Sequence, residues 1–577
     1  MFIKTNIFKA ISFRNPVKLP FSYWVLVCLR FVFTIIPQRG YIHPDEFFQN
    51  VEVVAGDIFI VDVARTWEFN PKFPIRNMFV PKMILGPPLH LIRLMNPYSR
   101  YYLGIDLKTP YYLLVIPRLY ICLLSLINDY CLYRICLLYG QNFRNRLKIF
   151  ASSYVVLVYC CRSFSNSFEM IFFSILLLLV AECMLKSDKI IYHDEFLREK
   201  YQQATTAVER VKLFKLRTHL PAHSLNHVIV IATVVVVGIF NRPTFVGFAF
   251  SPVFFWLHRG LGSKVVGFKD FHLRIFMLIT CTIPTVILLI LVDSTYYGYL
   301  MIAEIETLKI SWNNWVVTPL NFLRYNSNMK NLTQHGLHPR WLHLAVNVPL
   351  LFNILGVKLP RIQIIPVARF IIPILMPLVY LYGNHLHVNE TDGPKFRKLR
   401  NVLLYSWYFL NLILTIFFGF IHQGGIYPFA NDLHYEIKSI YGAHTHVITT
   451  HSYSVPTFLL QLESTNKIWR DKKTGHPYRL APTTFIHKYG SLPMNDLFAK
   501  VDEVLTNAEM LLHKHNKQYR FYIASPCSLE RDIQITASKY NYFNLIEEYS
   551  YYPHFCTEAI PKFPDSRDQL CVRFLLL

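Results

Sequence analysis

Long stretches of apolar residues with few charges constrain this chain more than any other feature. Examples are residues 225–240, 275–292 and 401–420. An α-helix rises 1.5 Å per residue, so about 20 apolar residues cross the roughly 30 Å hydrocarbon core of a bilayer. Hydrophobic residues make up 53% of the 577 positions and charged residues only 16%, which leaves little polar surface for a soluble protein. The sequence therefore predicts an all-α protein that crosses a membrane many times.

The charges indicate how the chain is oriented. Lys and Arg number 59 against 36 Asp and Glu, and the basic residues cluster in short loops between apolar stretches. That distribution is typical of cytoplasmic loops, so the net charge of +23 predicts a lipid bilayer as partner and no nucleic acid. The first apolar stretch, Tyr23–Ile36, contains Arg30 and is followed by no small-residue cleavage site. It predicts a first transmembrane helix with a cytoplasmic N-terminus, and not a cleaved signal peptide.

The apolar stretches and basic loops predict four regions. Residues 1–37 contain the N-terminus and the first transmembrane helix, and residues 38–108 form a large loop on the non-cytoplasmic side. Residues 109–421 form a transmembrane core with a second non-cytoplasmic loop at 293–343. Residues 422–577 form a polar C-terminal region on that same side. We expect about 9–11 transmembrane helices in all.

The alternation of membrane sides fails at one place. Up to residue 343 the charges agree with simple alternation, but alternation would then place the basic residues 395–400 on the non-cytoplasmic side. Two explanations stay open. Either a spanning helix is missing between Asn353 and Ala368, or residues 344–357 form a re-entrant element that does not cross the bilayer.

Two adjacent carboxylates, Asp45 and Glu46, follow the first transmembrane helix in the sequence His43-Pro44-Asp45-Glu46. Ionised groups near a bilayer are costly unless they are solvated or have a function. The pair is therefore either two solvated interfacial groups or a general base with its partner. Group transfer to a hydroxyl needs a carboxylate that takes the proton from the attacking oxygen. We expect Asp45 and Glu46 to be the catalytic residues.

Further polar groups recur on the same side of the membrane and are candidates for binding a substrate. Arg and His side chains suit a phosphate. Each of them alone is more often a solvated residue than a ligand, and their convergence on one side is the stronger observation. The candidate binding residues are His43, Trp67, Glu68, Arg76, Arg242, Tyr297, Tyr325, His335 and Arg340.

Metal binding has one candidate, the His-rich stretch at 335–343. Its Gly and Pro residues break a helix and no second pair of ligands stands at a zinc spacing, so we expect no metal. Three cysteines, Cys527, Cys556 and Cys571, lie in the polar C-terminal region, and their spacing fits no zinc pattern. One disulfide and one free thiol can form among them if that region lies outside the cytoplasm.

The motifs resemble those of a known family. Residues 41–57, YIHPDEFFQNVEVVAGD, resemble the first lumenal loop of the dolichol-phosphate-mannose-dependent mannosyltransferases of the endoplasmic reticulum, in glycosyltransferase family 22 and the GT-C class. The HPDE form is similar to that of the members that add the fourth mannose to the glycosylphosphatidylinositol (GPI) precursor. The other matching segments are TWEF at 66–69, PIRN at 74–77, RSFSNSFE at 162–169, FNRPTF at 240–245, DSTYYG at 293–298, PLNFLRYN through HGLHPRWLH at 319–343, VARFIIP at 367–373, HQGGIYP at 422–428 and YPHFCTE at 552–558.

The resemblance implies a GT-C-like, multi-pass protein of the endoplasmic reticulum membrane with a lumenal active site. It implies an inverting transfer of mannose from dolichol-phosphate-mannose to the 2-hydroxyl of the third mannose of a GPI-precursor glycolipid, which gives an α-1,2 linkage. Asp45 would be the general base, Glu46 would orient it or the acceptor, and Arg242, His335 and Arg340 would face the leaving phosphate. Dolichol phosphate leaves as an anion, so the resemblance implies no cofactor and no metal.

Several alternatives stay open. Within the family they are the enzyme that adds the third GPI mannose and the enzymes that extend the N-glycan precursor. Outside it stands an inactive membrane protein that binds glycolipid. This alternative stays open because Ile365-Pro366-Val367 replaces the family's His-Gln-Glu-type sequence, at the place where the alternation of sides fails. A transporter would carry ionisable groups at mid-membrane and two repeat halves, and the sequence shows neither.

The topology predicts which of two glycosylation sequons is used. Asn331, in Asn331-Leu332-Thr333, lies in the second lumenal loop, whereas Asn389, in Asn389-Glu390-Thr391, lies on the cytoplasmic side if a crossing is missing. We expect that Asn331→Gln removes a glycosidase-sensitive mobility shift and that Asn389→Gln changes nothing. A glycan on Asn389 would instead favour simple alternation.

Overall fold

The structure is a computed structural model that describes most of the chain. The described residues are 19–220, 227–258, 268–307, 311–328, 330–331, 346–356, 368–388, 393–439, 443–465, 468–470, 477–479, 482–515, 518–539, 544–560 and 569–576. Helices form the described part up to residue 439, and all of the strands come after it. The helices are α1 (Phe21–Ile35), α2 (Glu52–Phe59), α3 (Phe79–Leu103), α4 (Pro110–Leu138), α5 (Phe143–Ser152), α6 (Tyr154–Leu157), α7 (Ser165–Gln203), α8 (Ala207–Thr218), α9 (Val228–Asn241), α10 (Phe245–His258), α11 (Phe268–Tyr296), α12 (Ile302–Glu306), α13 (Thr318–Ser327), α14 (Val348–Gly356), α15 (Leu375–Tyr382), α16 (Pro394–Ile416), α17 (Ile426–Ser439), α18 (Met494–His515) and α19 (Glu530–Ala537).

The helical core fits a membrane. Among the described residues, α4, α7, α11 and the helix that continues α16 to Ile421 are long and apolar enough to cross a bilayer. Shorter apolar helical segments accompany them at Phe21–Ile35, Val228–Asn241, Phe245–His258 and Ile371–Leu386. Only 6% of the most apolar window of α11 is buried inside the protein, so that helix must have lipid as its solvent. The predicted all-α multi-pass membrane fold is confirmed.

The apolar stretch at 149–161 is not a single helix. α5 ends at Ser152, the next residue is extended (φ −67°, ψ 133°), and α6 begins after it. The break is satisfied from α16, where Asn411 Oδ1 accepts a hydrogen bond from Tyr154 N at 2.8 Å and Trp407 Nε1 donates to Ser152 Oγ at 3.0 Å. A bilayer tolerates a broken helix where a neighbouring helix supplies the missing hydrogen bonds.

An ion pair buried inside the membrane core joins α1 to α4. Arg30 donates from Nη1 to Asp129 Oδ2 at 2.9 Å and from Nη2 to Asp129 Oδ1 at 3.2 Å. Nη1 also donates to Ser125 Oγ at 3.0 Å, and the Arg30 side chain is fully buried. Charges inside a bilayer are tolerated when they pair with each other in this way. The arginine that interrupts the first apolar stretch is therefore accounted for by packing.

The predicted first lumenal loop, residues 38–108, is an ordered layer over the helices. It contains a π-helical turn at Phe47–Val51, α2, a 3₁₀ turn at Trp67–Phe69, and α3. One face of α3 is buried against the rest of the protein, whereas the other exposes apolar side chains, among them Leu91, Leu94 and Tyr98. The polar groups of this loop exclude a membrane-spanning helix, but they are compatible with an amphipathic helix such as α3.

The C-terminal region contains a sheet that the sequence pattern did not predict. Its strands are β1 (His444–Thr450), β2 (Ile468–Arg470), β3 (Pro477–Arg479), β4 (Thr484–Gly490), β5 (Tyr519–Pro526), β6 (Asn544–Tyr551) and β7 (Leu570–Leu576). Five of them form a mixed sheet in the order β4-β1-β5-β7-β6, with β1 parallel to β4 and β5 and with β7 antiparallel to β5 and β6. β2 and β3 form a separate antiparallel pair. β1 is buried along its whole length, as expected for a central parallel strand.

Helix α18 covers one face of this sheet, and a disulfide ties two of its strands together. Leu497 and Val501 of α18 pack with Ile448 of β1 and Phe521 of β5 in one buried cluster. Cys527, directly after β5, is bonded to Cys571 of β7, and Cys556 is a buried free thiol.

Gly40 is the point where the first loop comes closest to the transmembrane core. Gly40 N donates to Gly419 O at 2.8 Å, in the turn that ends the α16 segment. A Cβ atom at Gly40 would lie 2.4 Å from Phe418 O and 2.9 Å from Gly419 O. Since both neighbours are backbone atoms, they cannot move aside as a side-chain tip would.

We expect Gly40→Ala to destabilise the protein by about 1–3 kcal/mol, because the methyl group pushes the loop away from the core. A lower melting temperature of the detergent-solubilised protein would show this. Gly247→Ala is the matched control, since a Cβ there meets nothing within 4 Å and alanine favours the helix. Equal melting temperatures for the two variants would contradict this account of Gly40.

Candidate active site

Asp45 lies on the turn that leads from the first transmembrane helix into the π-helical turn. Its side chain is 21% exposed, so a substrate can reach it. Gln49 Nε2 donates to Asp45 Oδ2 at 2.7 Å, and the Asp45 backbone N donates to His43 Nδ1 at 3.1 Å. The turn thus holds an accessible carboxylate in a defined position, which is what a general base requires. We call residues 43–49 the catalytic turn.

Glu46, the other predicted catalytic residue, is fully buried. Arg118 donates to Glu46 Oε1 from Nε at 3.0 Å and from Nη2 at 2.5 Å, and Arg162 Nη1 donates to Oε2 at 2.8 Å. Ser163 Oγ donates to the backbone oxygen of Glu46 at 2.6 Å. Two guanidinium groups therefore surround a carboxylate that no solvent reaches. This geometry suits anchoring of the catalytic turn and leaves no room for an acceptor sugar at Glu46.

The same two arginines also hold the backbone that precedes the catalytic turn. Arg118 Nη1 donates to Gln38 O at 2.8 Å, and Arg162 Nη1 donates to Gly40 O at 2.6 Å. Arg162 Nη2 donates to Gln38 Oε1 at 3.2 Å. Sequence reasoning missed the role of Arg118. The available signal was a lone arginine in the middle of an apolar stretch, which needs a buried partner.

Five of the predicted binding residues come together in the second half of the first loop. Trp67 stacks on Tyr325 with ring centroids 4.6 Å apart. Arg76 Nη2 donates to Glu68 Oε1 at 3.0 Å, and Tyr297 Oη donates to the Arg76 backbone oxygen at 2.6 Å. The 293–298 and 319–326 motifs therefore meet the 66–77 motifs, as the sequence predicted when it placed them on one side of the membrane.

Arg76 also links this group to the catalytic turn. Burial lowers the pKa of Arg76, but Glu68 and then Asp45 outweigh burial and leave the pKa above its usual value. Asp45 is thus within electrostatic reach of Arg76. The guanidinium stays charged and favours the ionised form of the proposed base.

Asp293 fixes the position of this half of the loop. Its Oδ1 accepts from Met78 N at 3.0 Å, and its Oδ2 accepts from Asn77 Nδ2 at 2.9 Å and from Thr318 Oγ1 at 2.8 Å. One buried carboxylate at the end of α11 therefore ties the first loop and α13 together. Sequence reasoning quoted Asp293 within its motif and did not predict this structural role.

Arg242 lies in a neighbouring buried network. Arg242 Nη1 donates to Asn166 Oδ1 at 2.9 Å, and Asn166 Nδ2 donates to Glu169 Oε2 at 3.2 Å. Asn241 Nδ2 donates to Ser165 O at 3.0 Å. The 240–245 motif is thus joined to the 162–169 motif, whose Arg162 binds Glu46. Only 5% of Arg242 is exposed.

Two predicted binding residues, His335 and Arg340, lie outside the described residues. So do the rest of the His-rich stretch and Ile365-Pro366-Val367, where the sequence departs from the family pattern. Among the residues that the structure does describe, no group of three or more His, Cys, Asp or Glu side chains could hold a metal ion.

The C-terminal region packs against the first loop just after the catalytic turn, partly through Glu52 of α2. Glu52 Oε1 accepts from Phe458 N at 3.0 Å and from the Thr457 hydroxyl. Full burial raises the pKa of Glu52 to about 8, although Lys488 and the backbone donors oppose this. Glu52 was part of the quoted motif, but its contact is with residues about 400 positions away, which a motif does not reveal.

The 422–428 motif contacts the backbone at Tyr41, just before the catalytic turn. Tyr41 N donates to His422 O, and the His422 ring bonds to Tyr41 O through Nδ1, each at 2.8 Å. The Tyr453 ring lies 5.2 Å from Tyr41 and 6.2 Å from His43 between centroids. Gln423 N donates to Phe555 O at 3.0 Å, which brings in the 552–558 motif. The 422–428 and 552–558 motifs of the C-terminal region thus contact each other.

A comparison with protein families gives this arrangement its context. The profile of the Alg9-like mannosyltransferase family matches residues 21–364, more than half of the chain. The chain belongs to this family. It is a multi-pass membrane protein of a glycosyltransferase family, whose substrates are a sugar donor and a glycolipid acceptor.

Relatives that match along most of the chain agree with this assignment. GPI mannosyltransferase 4 of Drosophila melanogaster is 37% identical over 603 aligned positions, which cover 94% of this chain and 86% of the relative. GPI alpha-1,2-mannosyltransferase 4 of Homo sapiens is 30% identical and covers 76% of this chain and 75% of the relative. GPI mannosyltransferase 4 of Schizosaccharomyces pombe is 27% identical, with 83% and 81% covered. No solved structure matches the chain.

The comparisons also bear on the irregularity before Ala368. The alignment with the fly relative spans more positions than the 577 residues of this chain, so the relative carries residues that have no counterpart here. The family profile stops at residue 364, directly before Ile365-Pro366-Val367. Loss of a helical segment at this place would produce both observations, and it remains a prediction.

We expect Glu46→Gln to destabilise the protein by about 3–5 kcal/mol, because Arg118 and Arg162 would be left buried without a counter-charge. The melting temperature and the amount of protein in membranes would both fall. Glu182→Gln is the control, since the Glu182–Arg134 pair is about one quarter exposed and contributes less than about 1 kcal/mol. A Glu46→Gln protein with normal stability and no transfer would favour Glu46 over Asp45 as the expected general base.

Proposed function

We propose that this protein transfers mannose from dolichol-phosphate-mannose to the third mannose of a GPI precursor and forms an α-1,2 linkage. The proposal rests above all on the fly relative, GPI mannosyltransferase 4, which matches 94% of the chain. The α-1,2 linkage is that in the name of the human relative, GPI alpha-1,2-mannosyltransferase 4. We place the protein in the endoplasmic reticulum membrane with Asp45 on the lumenal side, as the positive-inside rule indicates.

The proposed chemistry uses one carboxylate of this chain as a base. The acceptor 2-hydroxyl attacks the anomeric carbon of the donor mannose and gives its proton to Asp45, while the bond from that carbon to the phosphate oxygen breaks. Dolichol phosphate leaves with the bonding electron pair as an anion. Attack from the face opposite the leaving group converts the β-linked donor into an α-linked product.

The two neighbouring carboxylates, Asp45 and Glu46, have different roles in this proposal. Asp45 is accessible and is held by Gln49 and His43, so it can approach an acceptor hydroxyl. Glu46 is buried between two arginines and fixes the turn that carries Asp45. The sequence predicted that Glu46 orients Asp45 or the acceptor, and the geometry supports the first of these.

The leaving phosphate needs positive charge near it. Arg242, His335 and Arg340 remain our candidates for this role, and Arg76 is a further cation that acts on Asp45. Trp67 and Tyr325, which stack on each other, offer an aromatic surface beside the turn for the acceptor sugars. No metal is needed, because the phosphate already carries its charge when it leaves.

A second candidate function is glycolipid binding without catalysis. The specific observation in its favour is the departure at Ile365-Pro366-Val367, together with the residues of the fly relative that have no counterpart. GPI-precursor profiling in cells that lack this protein separates the two. Re-expression of an active enzyme converts three-mannose precursors into four-mannose precursors, whereas an inactive binder leaves the three-mannose species in place.

We expect Asp45→Asn to reduce mannose transfer about 10²–10⁴-fold, the usual contribution of a general base, while the amount of protein changes little. The assay is transfer from dolichol-phosphate-mannose to a three-mannose GPI acceptor in microsomes. Asp57→Asn is the matched control, because Asp57 lies in the same loop with the same degree of exposure, 20%, and is paired with Arg65 and Lys82. Near-normal turnover by Asp45→Asn would remove Asp45 from the mechanism.

A further inference from the structure

Lys488 is a cation of the C-terminal sheet that reaches the catalytic turn. It lies on β4, and its Nζ is 4.0 Å from the centroid of the Phe48 ring. Phe48 follows Asp45 by three residues and is itself buried, whereas Lys488 is exposed. The ammonium group therefore stands at the solvent-facing edge of the turn that carries the proposed base.

Lys488 has no ion-pair partner within the described part of the chain. The acidic group that acts on it electrostatically is Glu52. Burial raises the pKa of Glu52 to about 8, against the opposing effects of Lys488 and the backbone donors. Among the described residues no salt bridge neutralises Lys488, and its side chain is exposed to an incoming ligand.

The surroundings of Lys488 make it part of the site and not of a remote surface. The C-terminal region is fastened to the first loop nearby, where Asp62 N donates to Leu462 O at 3.0 Å and Thr465 N donates to Asp62 Oδ2 at 3.1 Å. Tyr453 of the same region lies 6.2 Å from His43 of the catalytic turn, between ring centroids. The C-terminal region thus contributes Lys488 and Tyr453 to the surroundings of the catalytic turn.

We propose that Lys488 binds a phosphate ester of a glycolipid substrate beside the catalytic turn. An ammonium group on a flexible four-carbon stem is a suitable partner for a phosphate, to which it gives charge-assisted hydrogen bonds. The proposal rests on the proposed function, because two substrates of that reaction carry such a group. In the donor this group is the phosphate that links dolichol to mannose, and in the acceptor it is the phosphodiester that gives glycosylphosphatidylinositol its name. Lys488 takes part in binding and in no proton transfer.

Two simpler roles make different predictions. β4 is an edge strand of the sheet, and an exposed lysine on an edge strand prevents pairing with other chains. The contact with Phe48 is also a cation–π interaction, which can fasten the sheet to the first loop. Loss of the first role would lead to aggregation, and loss of the second would lower stability. Neither would change the KM for one substrate alone.

The test compares Lys488→Gln, Lys488→Arg and the control Lys500→Gln in microsomal transfer assays. Lys500 is a suitable control because its Nζ also lies over an aromatic ring of the same region, 5.4 Å from the Tyr489 centroid. We expect Lys488→Gln to raise the KM for one glycolipid about 10- to 100-fold, as for a lost hydrogen bond to a charged group, with kcat nearly unchanged. A raised KM for dolichol-phosphate-mannose identifies the donor phosphate, and a raised KM for the GPI acceptor identifies the phosphodiester. Lys488→Arg should restore most of the affinity.

A binding measurement keeps this test independent of the proposed function. Each glycolipid should raise the melting temperature of the solubilised wild-type protein, and for one of them the rise should be lost in Lys488→Gln and kept in Lys500→Gln. If the wild type transfers no mannose but this pattern holds, the proposed function fails and Lys488 remains a phosphate-binding residue. Unchanged KM values together with unchanged melting-temperature shifts would overturn the proposal. A lower melting temperature in the absence of glycolipid, with no change in either KM, would leave Lys488 only a structural role.

Discussion

The carboxylate of Glu46, held between Arg118 and Arg162, is the interaction on which the rest of the site depends. Arg118 comes from α4, and Arg162 comes from the turn before α7, so three separate parts of the chain meet at one buried group. The same guanidinium groups also bind the backbone of residues 38–40. Buried charges are costly to leave unpaired, so the ion pairs and hydrogen bonds of Glu46 hold the turn in one position.

This arrangement gives two adjacent residues of the same chemical type different tasks. In a turn, neighbouring side chains point in different directions, and here Glu46 faces the protein interior whereas Asp45 is partly exposed to solvent. Burial and two cations hold Glu46 in a structural role, whereas the Asp45 side chain stays 21% exposed beside Gln49 and His43. Enzymes often set the roles of paired carboxylates through such differences in environment.

The sequence predicts what depends on local patterns and misses what depends on distant partners. Long apolar stretches gave most of the helices, because the bilayer imposes both their length and their composition. The HPDE motif indicated the turn that carries Asp45, and the contact between Trp67 and Tyr325 agrees with the placement of their motifs on one side of the membrane. The partners of Glu46 could not be predicted, since they lie 72 and 116 positions further along the chain.

Three other features could not be predicted from the sequence, for related physical reasons. β1 is buried on both faces, so it lacks the alternation of polar and apolar residues by which a strand is usually predicted. The break after Ser152 depends on Asn411, which supplies the missing hydrogen bond from another helix. The pairing of Cys527 with Cys571 could not be chosen among three cysteines from their spacing alone.

The contact between Glu52 and Phe458 affects the order in which the protein can fold during its synthesis. It joins residues 406 positions apart, so the catalytic turn is made early in synthesis and receives its last neighbours only near the end. Until then, the growing chain has the catalytic turn without Tyr453 near His43 and without the hydrogen-bond partners of Glu52. A chain that ends before residue 453 would therefore lack the Tyr453 ring near His43 and the residues that hold Glu52.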